Sequence, residues 1–539
     1  MTEANSAPEH DVIIIGAGVC GIYLVYRMLE LGLSVTVLEA GDGPGGTWYW
    51  NRYPGARFDS ESYTYGYSFS KELLDEWNWS EHFAAQPETL RYLNHVIDRF
   101  DLREHMQFGC KVQGAAFDNA ANLWTVTLED GRTFTTRLLF TAIGMLSAAT
   151  MPRIEGVDAF KGPSFHTYNW PHEGVDLTGK RVGVIGTGAT GVQLIAEIAD
   201  KVGSLTVFQR RPNWCAPLHN APIDDEEMTR IKASYDAIFA RCLETPGGFL
   251  HGPDRRSYLE VSEAERLEFW ETLYASPGFG VWLGNFREVL MDETINREFS
   301  DFIAAKIRAR VDDPDVAEKL IPKDHGFGSR RVPMETRYYE AYNRSNVTLV
   351  DLNETPIECV TEDGIRTSAG EHEFDVIVYA TGFDAITGAF DRIDFEGADG
   401  SHLKDKWQDG PVTYLGLQTA GFPNLVTLAG PQSGSVSTNF PRGIEEAVDW
   451  TTGLVRFMRE HGYQRVEADP GAEAEWTEHV KSLYGFGLAT TTKSWFTGYN
   501  SNVDGHDTLR YMVYFGGAPK YRERLAEVVD NDYEGFEFG

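Results

Sequence analysis

Two glycine runs are placed to do chemistry: Gly16-Ala-Gly18-Val-Cys-Gly21 and, 170 positions later, Gly186-Thr-Gly188-Ala-Thr-Gly191. Where a strand turns into a helix, glycines at this spacing allow a tight turn and bring a pyrophosphate against the N–H groups of the helix N-terminus. Eighteen residues after Gly21 stands Glu39, a carboxylate able to accept hydrogen bonds from ribose hydroxyls. Eighteen after Gly191 the matching residue is Gln209, followed by Arg210 and Arg211. An acid there would repel a 2′-phosphate, whereas a guanidinium can bind one through paired, charge-assisted hydrogen bonds. The two runs therefore point to different ligands: an adenine dinucleotide with a free ribose, such as FAD, and NADPH. Thr187, inside the second run, and Gln193, just after it, are counted with the cofactor-binding residues. Arg210 and Arg211 have a simpler alternative as solvated charges at a strand end.

A third cluster, Gly45-Gly46-Thr47-Trp48-Tyr-Trp-Asn-Arg-Tyr-Pro-Gly-Ala-Arg57-Phe-Asp59, offers aromatic rings and backbone amides that could cover a planar isoalloxazine. It could equally be an aromatic loop buried against a core, and composition does not decide between them.

These residues need strands and helices to hold them. Residues 11–16 read as a buried parallel strand, 19–31 as a helix ending at Gly32, and 34–39 as a second strand. The series recurs as strand 181–185, helix 191–201 and strand 205–209, which predicts an α/β fold with two Rossmann-like dinucleotide-binding domains. Alternation over 123–136 around Asp130-Gly131 predicts a β-hairpin, with a separate apolar strand at 138–141. A matching β-rich stretch, 347–367, and strand 374–382 close the second unit. Residues 221–322 read as helical, with a capping box at Ser262 and Glu265 and a helix opened by Pro314 after Asp313. Strand material at 424–430 and a helix at 444–460 follow. By analogy with three-layer flavoproteins the expected domains are 1–145 plus 383–539 for FAD, 146–220 plus 323–382 for NADPH, and a helical insert, 221–322, in the NADPH domain.

Composition narrows the functional classes. With 48 Lys+Arg against 81 Asp+Glu, the net charge is −33; such a surface repels nucleic acid and anionic membrane, and the chain contains no basic run. Five cysteines, Cys20, Cys110, Cys215, Cys242 and Cys359, are scattered and never spaced Cys-x-x-Cys, so neither a redox dithiol nor a metal site is expected. Residues 1–10 lack a basic flank and an apolar run, and nothing approaches the roughly 20 apolar residues of a membrane span. A cytoplasmic protein is expected, without nucleic-acid or membrane partners and compatible with a monomer.

Phe160-Lys-Gly162-Pro-Ser-Phe-His166-Thr-Tyr-Asn-Trp170-Pro171 matches the FxGxxxHxxxW(P/D) fingerprint of Baeyer-Villiger monooxygenases. The chain resembles the type I enzymes, the phenylacetone and cyclohexanone monooxygenase group, over nearly its whole length, through the GGTWYWNRYPGARFD loop, Ala380-Thr-Gly382-Phe-Asp384 and Trp495. The resemblance implies an enzyme that uses FAD, NADPH and O2 to insert oxygen beside a ketone carbonyl through a C4a-peroxyflavin, giving an ester or lactone. It also implies that Arg331 is the catalytic arginine, positioned by Asp59, and that Thr47, Trp48, Tyr65 and Val112 contact flavin. Arg210 and Arg330 match positions at the 2′-phosphate, and Trp495 one over the nicotinamide cofactor. Phe440 occupies a position near flavin and substrate where relatives often carry methionine, and is a pocket candidate. His166 lies on what reads as an interdomain linker, which favours a hinge or positioning role over proton transfer. After Trp495 the family's Pro-Gly-Lys turn is replaced by a longer segment, Gly498 to Asp507, without that lysine. Rival readings are a flavin monooxygenase acting on nitrogen or sulfur, a disulfide reductase, disfavoured because it needs a cysteine pair, and a catalytically idle NADPH sensor.

Overall fold

A computed structural model describes residues 8–539; the opening stretch read above for a leader lies, through residue 7, outside the described residues. β1 (His10–Ile15) runs through the first glycine turn into α1 (Val19–Glu30) and returns as β2 (Val35–Leu38), parallel to β1. Ile13, Ile14 and Ile15 are all buried, as β-branched residues on both faces of a central parallel strand should be. The glycines of the turn are required by packing. A Cβ on Gly16 (φ 104°) would stand 2.6 Å from the Ala142 carbonyl oxygen, and one on Gly21 1.9 Å from that of Gly16. β3 (Arg181–Ile185), α2 (Ala189–Ile198) and β4 (Ser204–Gln209) repeat the unit. There a Cβ on Gly186 would meet the Ala380 oxygen at 2.4 Å, and one on Gly191 the Gly186 oxygen at 2.3 Å.

The first sheet sets β2 and β1 beside strand Thr133–Thr141, which also pairs in parallel with Leu425–Thr427. The hairpin forms as expected between Leu123–Leu128 and Thr133–Thr141, and 138–141 is strand as expected but continuous with the hairpin, not separate from it. One strand runs from the half-exposed ribbon into the buried parallel sheet at Thr136. Its side-chain pattern changes because its surroundings change, while the backbone continues. The second sheet is wholly parallel, in the order Val347–Asp351, β4, β3, Val376–Tyr379, Ser164–His166. The fingerprint therefore contains the edge strand of this sheet, which places His166 in the sheet and not on a linker, with Tyr379 opposite it.

α3 (Phe440–His461) packs on α1, where the Tyr23 hydroxyl donates to Asp449 at 2.6 Å. The helical stretch is shared between two cores. Met228, Ile231 and Tyr235 join the core of the first sheet, whereas Trp270, Phe299, Ile303 and Leu320 join that of the second. The capping box at Ser262 and Glu265 and the Asp313 cap before Pro314 are both formed.

Candidate active site

A cavity of about 520 Å³ runs along the first glycine turn and gathers seven of the expected site residues: Gly16, Gly18, Glu39, Thr47, Tyr65, Val112 and Phe440. Glu39 directly follows β2 and is buried. Its Oε2 accepts the Ala17 N–H and its Oε1 the Gly41 N–H, both at 2.8 Å. Burial raises its carboxyl above the ordinary value, against the pull of those amides. Each oxygen retains a lone pair for a ribose hydroxyl. The aromatic loop closes over the turn: a Cβ on Gly18 would lie 3.3 Å from the Gly46 Cα. Trp48 stands one layer behind, buried, its indole N–H donated to the Tyr65 hydroxyl at 2.9 Å. Phe58 stacks on Tyr65 at 4.3 Å. Gly21 is spent on helix packing, as its clash distance shows.

Next in the chain to Phe58 is Asp59, which lies 272 residues from Arg331 in sequence and in contact with it. Arg331 Nη1 donates to Asp59 Oδ2 at 2.6 Å. The same oxygen accepts the Met334 N–H at 3.1 Å, and Oδ1 accepts from Gln193 Nε2 at 3.3 Å. Gln193 projects from α2 of the second unit, donates also to the Arg57 carbonyl at 3.0 Å and accepts from the Tyr53 hydroxyl at 2.8 Å. The Asp59 side chain is 1% exposed and that of Arg331 30%. The guanidinium is thus fixed at one end, open at the other, and lies 5.7 Å over the Phe279 ring. Gln193 was expected to touch cofactor; here it clamps the carboxylate that holds Arg331.

At the second glycine run the layout differs. A Cβ on Gly188 would meet nothing within 4 Å, so this turn is open where the first is covered. Thr187 is buried and donates to the Arg211 carbonyl at 2.9 Å, securing the loop that carries the arginines. Gln209 points inward, buried, donating to the Lys319 carbonyl at 2.8 Å. Arg210 donates to Ser501 Oγ at 3.0 Å, while Arg330 lies 3.1 Å and Arg211 4.0 Å from Asp324. Three guanidinium groups therefore meet around one carboxylate and one hydroxyl. Trp495 is not part of that group. It packs against Phe496 at 4.2 Å, in a cluster with Met145, Ile386 and Met512.

His166 sits where the second sheet meets the first cavity, which it lines. Its Nδ1 accepts the Tyr168 N–H at 3.1 Å, so Nε2 carries the proton and donates to the Gly382 carbonyl at 3.1 Å. Burial pushes its pKa down to about 4. Sequence reasoning did not single out Trp50, within the aromatic loop, or Tyr168, within the fingerprint, whose rings stack at 5.3 Å along the cavity. The aromatic composition of both segments was the available signal. Among the described residues every cysteine is free and buried, and burial pushes the Cys20 thiol up to about 12. No helix of the described residues is long and apolar enough to cross a membrane.

Residues 13–241 match the family described as pyridine nucleotide-disulphide oxidoreductase; with no paired cysteines, the match carries the fold and not the dithiol chemistry. A 2-oxo-Δ3-4,5,5-trimethylcyclopentenylacetyl-CoA monooxygenase of Pseudomonas putida is 47% identical over 100% of both chains. A Baeyer-Villiger monooxygenase of Pseudooceanicola batsensis is 39% identical over 97% of this chain and 95% of its own. A phenazine N-monooxygenase of Lysobacter antibioticus is also 39% identical, over 99% and 97%. The crystal structure of OTEMO in complex with FAD and NADP superposes with a TM-score of 0.95 at 47% identity, covering 99% of this chain and 100% of that one. Similarity of this extent, over both sheets and the ground between them, establishes that the chain belongs to the type I Baeyer-Villiger monooxygenases, flavin-dependent oxidoreductases, in the group that includes the cyclohexanone and steroid enzymes.

Proposed function

We propose that this protein uses FAD, NADPH and O2 to insert one oxygen atom beside a ketone carbonyl, giving an ester or lactone. The observation that carries the reading is the Arg331–Asp59 pair, fixed by Gln193 between the unit that bears Glu39 and the unit that bears Arg210. The first cavity fits FAD: a buried carboxylate for the ribose at one end, the glycine turn for the pyrophosphate, and Tyr65, Val112 and Phe440 beside it. The open Gly188 turn with Arg210, Arg211 and Arg330 fits NADPH. When bound, FAD reduced by NADPH supplies the activated oxygen.

The chain's own residues orient and protect that chemistry. A guanidinium stays protonated at any working pH, so Arg331 stabilises an anionic nucleophile without giving it a proton. Asp59 and Gln193 keep it aimed. His166, neutral and doubly engaged, positions the Gly382 segment and moves no proton. We further propose the domain division 1–145 plus 383–539, 146–220 plus 323–382 and 221–322, and a reducing compartment, in keeping with five free buried thiols. Oxygenation of nitrogen is the second reading, favoured by the phenazine N-monooxygenase relative.

The deciding experiment incubates purified protein with NADPH, O2 and linear, cyclic, aryl and steroidal ketones beside tertiary amines and sulfides. Ester or lactone formation is expected. A yellow, NADPH-oxidising protein that forms only N- or S-oxides would transfer the assignment to the second reading, and a colourless protein that cannot be reconstituted with FAD would overturn both.

A further inference from the structure

Asp384, Asp391 and His506 bring ligand-type atoms within 4.8 Å of one another, an arrangement that invites a metal. The hydrogen bonds assign it otherwise. Arg510, 4% exposed, donates from Nη1 to His506 Nε2 at 2.6 Å, to Thr387 Oγ1 at 3.3 Å and, from Nη2, to the Trp407 carbonyl at 3.1 Å. With its Nε2 lone pair taken, His506 carries its proton on Nδ1 and gives it to Asp384 Oδ1 at 2.9 Å. The cation of this cluster is the guanidinium, and neither imidazole nitrogen is left to ligate a metal. Both side chains of the His506–Asp384 contact are about nine-tenths buried, at 10% and 12% exposure.

Each end of this relay belongs to something the site needs. His506 and Arg510 lie on the segment after Trp495, whose fold closes at Gly498: φ is 76°, and a Cβ there would strike the Arg510 Cβ at 2.8 Å. The same segment brings Ser501 Oγ to Arg210 and the Tyr499 ring to 5.9 Å from the Arg211 guanidinium. Asp384 lies on the turn whose Gly382 carbonyl accepts from His166. Ile386, two residues on, has a φ of 69°, a conformation a β-branched side chain adopts only when its surroundings impose it. Asn500 adds a second tie, from Nδ2 to the Phe383 carbonyl at 3.0 Å.

We infer that His506 is a positioning residue for coenzyme recognition: through its buried contacts with Asp384 and Arg510 it latches residues 498–510 onto the Gly382–Thr387 turn and so holds Ser501 and Tyr499 against the arginines that take the 2′-phosphate. The histidine stands in the segment that follows Trp495, and it does its work inside the protein instead of at the ligand. This inference rests on the NADPH reading of Arg210.

The test compares His506→Leu, His506→Asn and Ser501→Ala in the FAD-loaded protein. Leu fills the space without a donor; Asn keeps a donor near the Nδ1 position. In His506→Leu the KM for NADPH should rise about tenfold, the loss of a charge-assisted hydrogen bond, with kcat within about twofold and faster proteolytic cleavage within residues 498–510. His506→Asn should recover most of the affinity and the protection. Ser501→Ala should raise the NADPH KM about threefold, leave that for NADH unchanged and leave cleavage at the wild-type rate. Wild-type KM and cleavage in His506→Leu would overturn the latch, as would an unchanged NADPH KM in Ser501→Ala should the His506 variants fail to fold. Arg210→Ala, run alongside, separates the two readings: an unchanged NADPH preference there would remove the coenzyme assignment itself.

Discussion

Arg331 and Asp59 meet at 2.6 Å with very different exposure: the carboxylate is sealed, with the Met334 N–H and Gln193 as further donors, while the guanidinium is open on one side. The asymmetry separates the two roles. Removing Arg331 leaves Asp59 with two other donors, whereas removing Asp59 frees the arginine and strands the buried Met334 N–H.

Arg331→Ala should accordingly fold, bind FAD and NADPH and still consume NADPH, yet form almost no ester. Loss of one preorganised charge of this kind costs on the order of 10² to 10³ in rate. Asp59→Ala should lose ester formation to a similar extent and also stability, by about 1 to 3 kcal/mol, the cost of leaving the buried Met334 N–H without an acceptor. Ester yield per NADPH oxidised, set beside thermal melting, reads the two effects separately. Wild-type yield in Arg331→Ala would make that arginine structural.

Arg210→Ala should raise the KM for NADPH by about 10- to 100-fold, the value of one hydrogen bond to a charged group, with little change for NADH. The inward turn of Gln209 sharpens the expectation. It contributes by not being an acid, so Gln209→Glu should weaken NADPH binding only if the carboxylate escapes its buried place beside the Lys319 carbonyl. The ratio of kcat/KM for the two coenzymes is the measurement.

Much of this was legible in the sequence, because the residues proposed to hold dinucleotides are local. The glycine runs, Glu39 and Arg210 lie within about 25 residues of their strands, and the spacing alone assigned them. Arg331 and Asp59 could be paired only through resemblance, since no period links positions 272 apart. Burial pattern misled where one backbone crosses two environments, as in Thr133–Thr141. The edge strand Ser164–His166 went unread because three residues carry no alternation to detect. The Asp384, His506 and Arg510 relay left no signature at all: its members come from two distant segments, and buried polar groups look in sequence like surface ones.

A stability effect with a definite sign is expected from Glu446 on α3. Burial raises its pKa to about 7, against the pull of Arg522 at 3.1 Å. In the unfolded chain the group titrates near 4.3, so between these values the folded state holds a proton that the unfolded state has released. Its contribution to stability is therefore full below the unfolded pKa and is lost as pH rises through about 7. Glu446→Gln removes that term. Its Tm relative to wild type should rise from pH 5 to about pH 7 and level off above it, and a difference independent of pH would show that Glu446 is not the titrating group.

His166 allows the sharpest separation of positioning from proton transfer. With its pKa pushed down to about 4 by burial, and both ring nitrogens engaged, it remains neutral across the whole range in which the enzyme would be assayed. His166→Gln can keep the donor toward the Gly382 carbonyl, and His166→Asn can keep the acceptor for the Tyr168 N–H. Each loses one hydrogen bond, ~1 kcal/mol, which allows at most about a tenfold fall in kcat/KM. The shape of the pH profile between 6 and 9 should be the same in wild type and both variants, because no proton on this side chain titrates there. A general base would behave differently: wild type would show a limb that disappears in both variants, and activity would fall by the 10² to 10⁴ typical of lost acid–base catalysis. That outcome would return His166 to the chemistry and require another group to hold the Gly382 turn.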